Sequence, residues 1–371
     1  MTVPKLRFKE FDEEWSSLKY KDVLTIKYGK DHKLLTDGDI PVYGTGGIMR
    51  HVDRYLYEGE SILIGRKGTI DQPKYVNEKF WTVDTLFYTE IKQNAVPKFL
   101  FQHALQVNWL GLNEATGVPS LNTTSINNVD ISFPPIQEQK KIASFLSAAD
   151  EKISQLNQKH RLLCKYKQGM MQKLFSQQLR FKADDGSEFR GWGEITLGEI
   201  IKFVNGKGHE NDVDEHGDYT LINSKFISTD GFISKNVNKC HQKVINDCLV
   251  MVMSDIPNGK ALAKVLHITD GSKFALNQRI GMFLFPKENC PKFFQYQLNR
   301  HKYYLSFDSG VGQTNLKKED VLGCPIFIPC LEEQTQIANF LSAIDQKIEV
   351  VAQQIEQAKT WKKGLLQQMF V

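Results

Sequence analysis

The sequence predicts an α+β fold with two similar, strand-rich globular domains and internal pseudo-twofold symmetry. The domains are separated by two long helices that form an antiparallel coiled coil. Three observations predict this architecture. A segment of about 45 residues occurs twice. Both copies have apolar residues at the heptad spacing of a coiled coil. The stretches between them contain short apolar runs bounded by turn residues, which is typical of strands.

Length and composition set the first limits. At 371 residues the chain is too long for one ordinary domain, and its 41% hydrophobic content lets each half form a core. No apolar run approaches the roughly 18 residues of a membrane helix, and the charged N-terminal segment is not typical of a signal peptide. We therefore expect a cytoplasmic protein with no membrane partner.

The six cysteines form no C-x-x-C pair and no zinc-finger spacing. The nearest approach to a metal site is Cys240-His241 with Cys248, which we interpret as reduced, partly buried thiols. The sequence therefore predicts no metal site.

The internal repeat sets the order of the domains. Residues 131–175 align with residues 326–370 at an offset of 195, and 18 of the 45 positions are identical. A second repeat opens the two halves, since Trp15 returns as Trp192 within similar segments. We predict a first globular domain at 1–134, a long helix at 135–178, a second globular domain at 179–329 and a second long helix at 330–371.

The two repeated segments carry the seam of a coiled coil. Their apolar residues alternate steps of four and three over about 40 residues, so each helix would be on the order of 60 Å long. Such a helix outruns a domain of ~130 residues, which favours pairing of the two helices over separate packing on their own domains. Lys167 and Lys362 interrupt the seam at the same repeat position, where a polar group usually fixes register or faces a partner. The predicted seam comprises Ile142, Leu146, Ile153, Leu156, Leu163, Lys167, Ile337, Leu341, Ile348, Val351, Ile355 and Lys362.

The globular portions favour short buried strands and shorter helices. Apolar runs at 61–64 and 80–83 in the first half, and at 249–253 and 280–285 in the second, predict strands. A proline opens each of two predicted helical stretches, which lie near Pro97–Trp109 and Pro291–Leu305. These elements do not alternate regularly, so the pattern indicates an α+β rather than an α/β fold.

The block P-x-x-EQ-x-x-I-A-x-F-L-S-x-x-D is present twice, at Pro135–Asp150 and, with cysteine in place of proline, at Cys330–Asp345. Further motifs are ILIGRKGTI at Ile62–Ile70 and the opening segments with Leu6-Arg7-Phe8, Trp15, Leu179-Arg180-Phe181, Trp192 and Leu197-Gly198. In these motifs, and most strongly in the repeated block, the chain resembles over essentially its whole length the specificity subunits of type I restriction–modification enzymes.

The resemblance implies a division of labour. Each globular domain would read one half of a split target in double-stranded DNA, and the helices would separate the domains and dock two methyltransferase subunits. Those subunits would bind S-adenosylmethionine and methylate adenine, and motor-nuclease restriction subunits would join them for cleavage. This chain would have no catalytic residue and no cofactor of its own. The repeat favours the same arrangement, because a pseudo-twofold scaffold offers two similar surfaces to two copies of one partner.

Two regions of the first domain are candidates for DNA contact. Arg66 and Lys67, between two glycines after a predicted strand, offer two cations to phosphates in a tight loop. A basic, glycine-rich stretch could approach a groove, and its candidates are Lys30, His32, Lys33, Tyr43, Gly44, Thr45 and Arg50. An ordinary solvated turn is the alternative for the loop of Arg66 and Lys67.

The second domain offers equivalent regions, although GRKG is replaced there by residues 254–260, which puts residue-by-residue equivalence of the contacts in doubt. The candidates in equivalent positions are Lys207, His209, Asn223, Ser224, Lys225 and Lys260. Side chains that could read adenine or guanine edges are Asn277, Gln278, Arg279, Gln313, Thr314 and Asn315. Ordinary surface exposure is the alternative for each.

The charge distribution places any DNA-binding face in a local patch. Net charge is only +4, residues 1–135 hold 16 Lys/Arg against 17 Asp/Glu, and residues 136–180 hold nine against three. The sequence contains neither the motif of an adenine methyltransferase nor that of a phosphate loop. Phe133-Pro134-Pro135-Ile136 differs from a methyltransferase motif on both sides of its prolines, and there is no phosphate loop.

Two other classes of function stay open. Asp84 with Glu90-Ile91-Lys92 mimics the carboxylate–lysine spacing of a metal-dependent nuclease, although such spacing is common on strand surfaces. A coiled-coil adaptor between proteins, without DNA binding, is the main alternative. The divergence of the two domain interiors beside similar helices favours domains that read different DNA sequences.

Overall fold

The computed structural model describes residues 4–257 and 259–370. Residues 1–3, Asn258 and Val371, which the predicted domains include, lie outside the described residues. The chain divides into two compact units, Met1–His160 with Val350–Val371, and Arg161–Glu349. The fold is α+β, as the sequence predicts. Within the described ranges, no helix is both long and apolar enough to cross a membrane.

The globular part of unit 1 is built around a six-stranded sheet. Its described elements are β1 (Ser16–Lys19), α1 (Tyr20–Val23), β2 (Leu24–Tyr28), β3 (Ile40–Gly44), β4 (Gly47–Val52), β5 (Tyr57–Gly65), β6 (Lys74–Thr82), β7 (Leu86–Ile91), α2 (Pro97–Ala104), α3 (Thr123–Asn127) and β8 (Asp130–Phe133). The sheet has the order β2-β7-β5-β6-β3-β4, with β3 and β6 parallel and the other neighbours antiparallel. Strands β1 and β8 form a separate antiparallel pair.

The first long helix, α4 (Ile136–Phe175), leads from unit 1 into unit 2, where the sheets are smaller. The described elements of unit 2 are β9 (Gly193–Thr196), β10 (Lys202–Asn205), β11 (Tyr219–Ile222), α5 (Ser224–Ser228), β12 (Asn236–Val237), β13 (Cys248–Val252), β14 (Ser254–Asp255), β15 (Val265–Ile268), β16 (Phe274–Leu276), β17 (Ile280–Leu284), α6 (Pro291–Leu298), α7 (Lys302–Leu305), β18 (Thr314–Asn315), α8 (Lys318–Leu322) and β19 (Pro325–Ile328). The second long helix, α9 (Leu331–Met369), follows.

The two globular parts share one arrangement, with one strand of unit 1 replaced by two in unit 2. The order β10-β17-β13-β15 in unit 2 matches β2-β7-β5-β6, and β16-β11-β12 matches β6-β3-β4. Strand β6 is continuous, whereas its counterpart is divided into β15 and β16, so the six-stranded sheet becomes two smaller ones. The four predicted strands lie in β5, β6, β13 and β17, and all four end within one residue of the predicted C-terminal ends, but β5 and β6 begin four and six residues earlier than predicted.

The predicted shorter helices are each divided in two. Helix α2 ends at Ala104 and is followed by a separate 3-10 turn at Trp109–Leu112. In unit 2, α6 ends at Leu298 and α7 begins four residues later. In both places a short irregular stretch lets large side chains pack inward, since Trp109 is 2% exposed and Tyr304 is fully buried.

The helices pair in opposite directions in unit 1. Lys362 of α9 reaches Asp150 of α4, with Nζ 2.5 Å from Oδ1. Leu156 lies six residues further along α4 and lines a groove with Gln354 and Ala358, which precede Lys362 in α9. As residue numbers rise along α4 they fall along α9, so the two segments are antiparallel.

Unit 2 shows the same antiparallel pairing. Lys167 Nζ lies 2.5 Å from Oδ1 of Asp345. Leu174, seven residues further along α4, shares a core cluster with Ile337 and Leu341, which precede Asp345. The predicted antiparallel coiled coil is confirmed in each unit, and its predicted seam residues are buried or partly exposed throughout.

A buried carboxylate fixes the start of each long helix to its domain. Glu138 is fully buried and accepts hydrogen bonds from Arg7 Nε (2.7 Å), Arg7 Nη2 (2.8 Å) and Trp15 Nε1 (3.1 Å). The bond to this carboxylate raises the pKa of Arg7, which keeps the guanidinium charged. Unit 2 repeats the arrangement with Glu333, Arg180 and Trp192, at distances between 2.7 and 3.0 Å.

The neighbouring glutamines complete this attachment. Gln139 donates from its side-chain nitrogen to the Pro134 carbonyl (2.8 Å) and accepts from the backbone N–H of Val96 (2.9 Å). Gln334 does the same with the Pro329 carbonyl (3.0 Å) and the Cys290 N–H (2.8 Å). The Glu-Gln pair of the repeated block therefore satisfies buried polar groups where each helix begins.

The end of α9 completes unit 1. The backbone N–H of Leu6 donates to the carbonyl of Gln368 (2.9 Å), and the ring of Phe370 lies 5.3 Å from that of Phe99. In unit 2 the matching bond joins Leu179 to Lys173, only six residues apart (3.1 Å). The same local contact is thus made near the end of α4 in unit 2, and between residues at opposite ends of the chain in unit 1.

Candidate nucleic-acid interface

A cleft of about 630 Å³ in unit 1 brings together parts of the chain that the sequence singles out separately. It lies beside the turn that joins β6 to β7. Its lining combines candidate residues with others that the sequence did not point to: Asp31, His32, Lys33, Gly44, Thr45, Gly46, Met49, Val83, Asp84 and Thr85.

The loop with the two predicted phosphate-binding cations lies against the same turn. The backbone N–H groups of Arg66 and Lys67 both donate to the Thr85 carbonyl, at 2.8 and 3.2 Å. The Arg66 guanidinium donates to the Asp84 carbonyl (3.1 Å) and lies 5.4 Å from the centre of the Tyr28 ring. Arg66 is therefore held in place and only partly exposed, whereas Lys67 is exposed.

The other candidates of unit 1 divide into exposed and internally bonded side chains. Lys30 and Lys33 are exposed, and His32 is partly exposed. Tyr43 donates its hydroxyl to Glu78 (2.6 Å), and burial with this bond raises the pKa of Tyr43 to about 12. Arg50 donates to Asp37 (2.6 Å) and to a backbone carbonyl. The lysines can reach an external anion as they stand, whereas Tyr43 and Arg50 stabilise the walls of the domain.

Two further candidates shape the cleft by their size and backbone. Gly44 is buried, and a β-carbon there would lie 2.5 Å from Met49 Sδ. The carbonyl of Thr45 accepts a hydrogen bond from Lys74 Nζ (3.4 Å), a cation that sequence reasoning missed. Among the anionic groups, the backbone N–H of Lys33 lowers the pKa of Asp31, so that this carboxylate stays ionised.

In unit 2 the counterpart of the β6–β7 turn is the turn Asn277–Arg279 between β16 and β17. Gln278 and Arg279 are exposed, and Asn277 is partly exposed. Gln278 Nε2 donates to Glu210 Oε1 (2.8 Å), and the Asn277 side chain accepts from the N–H of Gln278 (2.9 Å). The structure therefore places a predicted group of base-reading side chains where unit 1 has its cleft.

The candidates before β11 and in α5 are mostly engaged within the domain. His209 is 1% exposed, with Nδ1 bonded to the Lys207 carbonyl (2.7 Å) and Nε2 accepting from the His241 N–H (3.0 Å). Asn223 caps α5 by accepting from the Phe226 N–H (2.9 Å). Exposed side chains here are Lys207 and Lys225, while Ser224, the first residue of α5, is partly exposed.

The remaining candidates of unit 2 lie in or near the strand pair β14–β18. Gln313 Nε2 donates to Ser254 Oγ (2.7 Å), which in turn donates to Asn315 Oδ1 (2.7 Å). Thr314 is buried. Lys260 is exposed, and its carbonyl accepts a bond from Arg300 (2.6 Å). Of these residues, Lys260 alone is an exposed cation.

Arg66 and Lys67 of the first domain have no cationic counterparts at the same positions of the second. The backbone N–H of Leu121 donates to the Arg66 carbonyl (2.9 Å), and the N–H of Leu316 donates to the Met253 carbonyl (2.8 Å). Met253 therefore occupies the position of Arg66, and Ser254 follows it where Lys67 stands in unit 1. The two domains share a backbone frame but present different charges on it.

The described residues contain no group of three or more His, Cys, Asp or Glu side chains that could hold a metal ion. Cys248, part of the nearest approach to a metal site in the sequence, is buried in β13, and burial raises the pKa of this thiol to about 12. It behaves as a small core residue.

Comparison with known proteins identifies the family. The family model described as type I restriction modification DNA specificity domain matches residues 12–163 and 190–360. The type I restriction enzyme MjaVIII specificity subunit of Methanocaldococcus jannaschii is 30% identical over 272 residues, which are 68% of this chain and 64% of that protein. The putative MjaX specificity subunit of the same organism is 28% identical over 293 residues, 72% of this chain and 65% of that protein. The aligned parts thus span just under two thirds of these relatives.

Solved structures share the fold. The S subunit of a type I restriction-modification system from M. genitalium superposes with a TM-score of 0.68 at 17% identity, covering 100% of this chain and 99% of that one. A chain from a structure of the type I R-M system gives a TM-score of 0.56 at 14% identity and covers 96% of this chain and 97% of that one. Because the family model matches both halves and most of the residues, the chain belongs to the type I restriction modification DNA specificity domain family.

Proposed function

We propose that this chain is the DNA sequence-specificity subunit of a type I restriction–modification complex. Each globular domain reads one half of a bipartite target in double-stranded DNA, and the lengths of α4 and α9 set the distance between the half-sites. The chain has no catalytic residue of its own. It acts in the cytoplasm, as part of a complex that modifies DNA.

The observation that carries this proposal is that the two halves have matching internal contacts but different exposed side chains. Internal contacts are matched pair by pair, as with Glu138 and Glu333 at the helix starts. Exposed groups around the matched turns differ, with Asp84 in one domain and Gln278 in the other. Two copies of one scaffold with different exposed chemistry suit two readers of different base sequences, whereas an adaptor for identical partners gains nothing from this difference.

The repeated helices support a partnership with two methyltransferase subunits. Trp361 and Tyr166 occupy the same repeat position and are 53% and 52% exposed. Large aromatic side chains that are half exposed are common anchors of protein interfaces, so each repeat offers a similar surface. In this proposal the bound methyltransferases supply S-adenosylmethionine and the chemistry, and motor-nuclease restriction subunits add cleavage.

The proposal is tested by purifying the chain alone and with its methyltransferase subunit, and by supplying S-adenosylmethionine and random-sequence DNA duplexes. We expect the chain alone neither to methylate nor to cut DNA, and the complex to methylate a split sequence. Sequencing of the methylated duplexes gives both half-sites and the gap. Methyl transfer by the rigorously purified chain alone contradicts the non-catalytic assignment. A complex whose methylation or binding shows no sequence preference favours the adaptor instead.

A further inference from the structure

We infer that the turn Val83–Thr85 of unit 1 and its counterpart Asn277–Arg279 of unit 2 are the base-reading segments of the two domains, with Asp84 and Arg279 as specificity-determining residues. The inference rests on the proposed function and narrows it to two side chains. It relates the predicted base-reading group Asn277–Arg279 of one domain to a turn of the other whose Asp84 the sequence indicates only as a nuclease-like carboxylate.

Matched hydrogen bonds hold the two turns in the same backbone frame. The N–H groups of Gly29 and Lys30 donate to the carbonyls at the two ends of the first turn, Leu86 (3.1 Å) and Thr82 (2.8 Å). Gly206 and Lys207 bond in the same way to Ile280 (3.0 Å) and Leu276 (3.0 Å). Two further pairs of backbone hydrogen bonds correspond. The N–H of Val83 donates to the Tyr43 carbonyl (3.0 Å), as that of Asn277 donates to the Ile222 carbonyl (3.1 Å). The N–H of Arg66 donates to the Thr85 carbonyl (2.8 Å), as that of Met253 donates to the Arg279 carbonyl (3.0 Å).

Close packing of a glycine against each turn supports this equivalence. A β-carbon on Gly29 would lie 2.0 Å from the Val83 carbonyl oxygen, and one on Gly206 would lie 1.9 Å from the Asn277 carbonyl oxygen. Any other residue would displace the turn, so glycine is required for this approach. The frame fixes both backbones, and the two domains therefore differ here only in the side chains that they present.

Asp84 is an exposed anion near the exposed cations of the first domain. Its carbonyl accepts from Arg66, so the residue is fixed while its carboxylate remains exposed. A carboxylate accepts hydrogen bonds only and repels phosphate, so this position does not suit contact with the DNA backbone. It does suit an amino group on a base edge, and the usual partner of Asp or Glu in the major groove is the N4 amino group of cytosine. Lys33 and Lys67, both exposed, can contact phosphates on either side.

The second domain presents the opposite chemistry from the next position of the matched turn, since Gln278 is equivalent to Asp84 and Arg279 to Thr85. Glu210 lies three residues after Lys207, as Lys33 lies three residues after Lys30, and its carboxylate accepts from Gln278 (2.8 Å) and orients that amide. Arg279, next to it, is exposed and carries five N–H donors in a planar arrangement. Such a side chain pairs with the O6 and N7 acceptors of guanine. The first domain thus offers an acceptor to a base and the second offers donors.

The test uses the complex with its methyltransferase, random-sequence duplexes and sequencing of the methylated products. We expect Asp84→Ala to reduce discrimination at one base pair of one half-site by about 5-fold, the low end of the range for a lost base contact, because cytosine offers a single free N4 proton. Asp84→Asn should shift the preference at that base pair from cytosine towards adenine, because an amide both donates and accepts. Arg279→Ala should relax a guanine in the other half-site and leave the first unchanged.

Lys67→Ala is the matched control, because it removes a neighbouring exposed charge and should weaken binding to all sequences equally. Asp84 and Arg279 are exposed, so the variants should keep the wild-type melting temperature. Variants that methylate the wild-type sequence with unchanged discrimination overturn the inference and leave the proposed function standing. A wild-type complex without any sequence preference overturns the proposed function itself.

Discussion

Lys362 and Asp150 form an ion pair across the coiled coil of unit 1, with the ammonium nitrogen 2.5 Å from Oδ1 and the lysine side chain only 11% exposed. The other carboxylate oxygen accepts from Gln102 Nε2 (2.8 Å), so Asp150 also fixes α2 to the helix. In unit 2, Asp345 likewise accepts from Lys167 and from the Tyr296 hydroxyl (2.7 Å). Lys167 and Lys362, which interrupt the apolar seam, thus fix the register of the two helices, because each pairs with the last residue of a repeated block, Asp345 or Asp150.

The Lys362–Asp150 pair should respond asymmetrically to mutation. Asp150→Ala leaves a mostly buried ammonium without its partner and should lower the free energy of unfolding by about 1–3 kcal/mol. Lys362→Met replaces the ammonium with a side chain suited to the seam, and Asp150 is 41% exposed and can be hydrated, so we expect a change below about 1 kcal/mol. Urea unfolding of both single variants and the double variant measures this. Equal losses for the two single variants would contradict the assignment.

His103 should make unit 1 sensitive to acid. It is buried, accepts from or donates to the Tyr20 hydroxyl through Nδ1 (2.9 Å), and burial lowers its pKa to about 4. In the unfolded chain its pKa is about 6.5. Above pH 6.5 the ring is neutral in both the folded and the unfolded chain, so its burial does not oppose folding through protonation. As the pH falls from about 6.5 towards 4, the unfolded chain binds a proton that the folded protein does not, and the free energy of unfolding decreases by roughly 2–3 kcal/mol at pH 4.5.

The measurement for His103 is a comparison of unfolding free energies at pH 7 and pH 4.5. His103→Gln keeps a polar partner for Tyr20 but does not titrate, so this variant should lose about 2–3 kcal/mol less than the wild type over that interval. Comparing the two proteins cancels the other titrating groups. An identical pH dependence would show that His103 is protonated in the folded protein without cost.

The loop of Arg66 and Lys67 should act on affinity without changing specificity. If both side chains neutralise phosphates, Arg66→Ala with Lys67→Ala should reduce the dependence of log K on log salt by roughly one to two units, near 0.9 for each contact. The methylated sequence should stay the same. Binding titrations at several salt concentrations measure the slope. Lys79→Ala is the control, because that exposed lysine pairs with Glu58 on the sheet (3.7 Å). A wild-type slope in the double variant would make the loop an ordinary turn.

The lengths of α4 and α9 should determine the gap in the target. Inserting seven residues into both helices, after His160 and before Val350, keeps the heptad register and adds about 10 Å to each. We expect the gap to lengthen by about three base pairs, since each occupies about 3.4 Å. Sequencing of methylated sites measures the gap. Insertion into one helix only should instead break the pairing and destabilise the protein, and an unchanged gap with both insertions would contradict the spacing role.

The features that the sequence predicts well are those with a period. The heptad pattern and the offset of 195 predict α4 and α9 and their antiparallel pairing, because a seam of this length can be buried only against a second helix. The continuous apolar runs predict the central strands, because such runs are typical of strands that are buried on both faces. What the pattern cannot indicate is the partner of a buried charge. Glu138 pairs with Arg7, 131 residues away, and no local signal relates them.

Less of the candidate interface follows from the sequence, because turns have no periodic pattern of residues. The sequence indicates Asn277–Arg279 by side-chain type alone, and it indicates Asp84 only as a nuclease-like carboxylate. The hydrogen bonds around the turns show that these positions are equivalent, and those bonds involve backbone atoms, which every sequence has. Conversely, His209 and Asn223 have side chains suited to nucleic acid, but the structure uses them to hold a loop and to cap α5.

The bond between Leu6 and Gln368 has a consequence for how the protein is made. A ribosome extends the chain from its N-terminus, so residues 350–370, which complete unit 1, are synthesised after the whole of unit 2. Unit 2 is one continuous stretch and can fold as it emerges, as domains generally do. The half that is begun first is therefore finished last. A translation product that stops before Val350 would carry a first domain whose core lacks Leu365, Leu366 and Met369. Such a product would be incompletely folded and therefore a substrate for proteases.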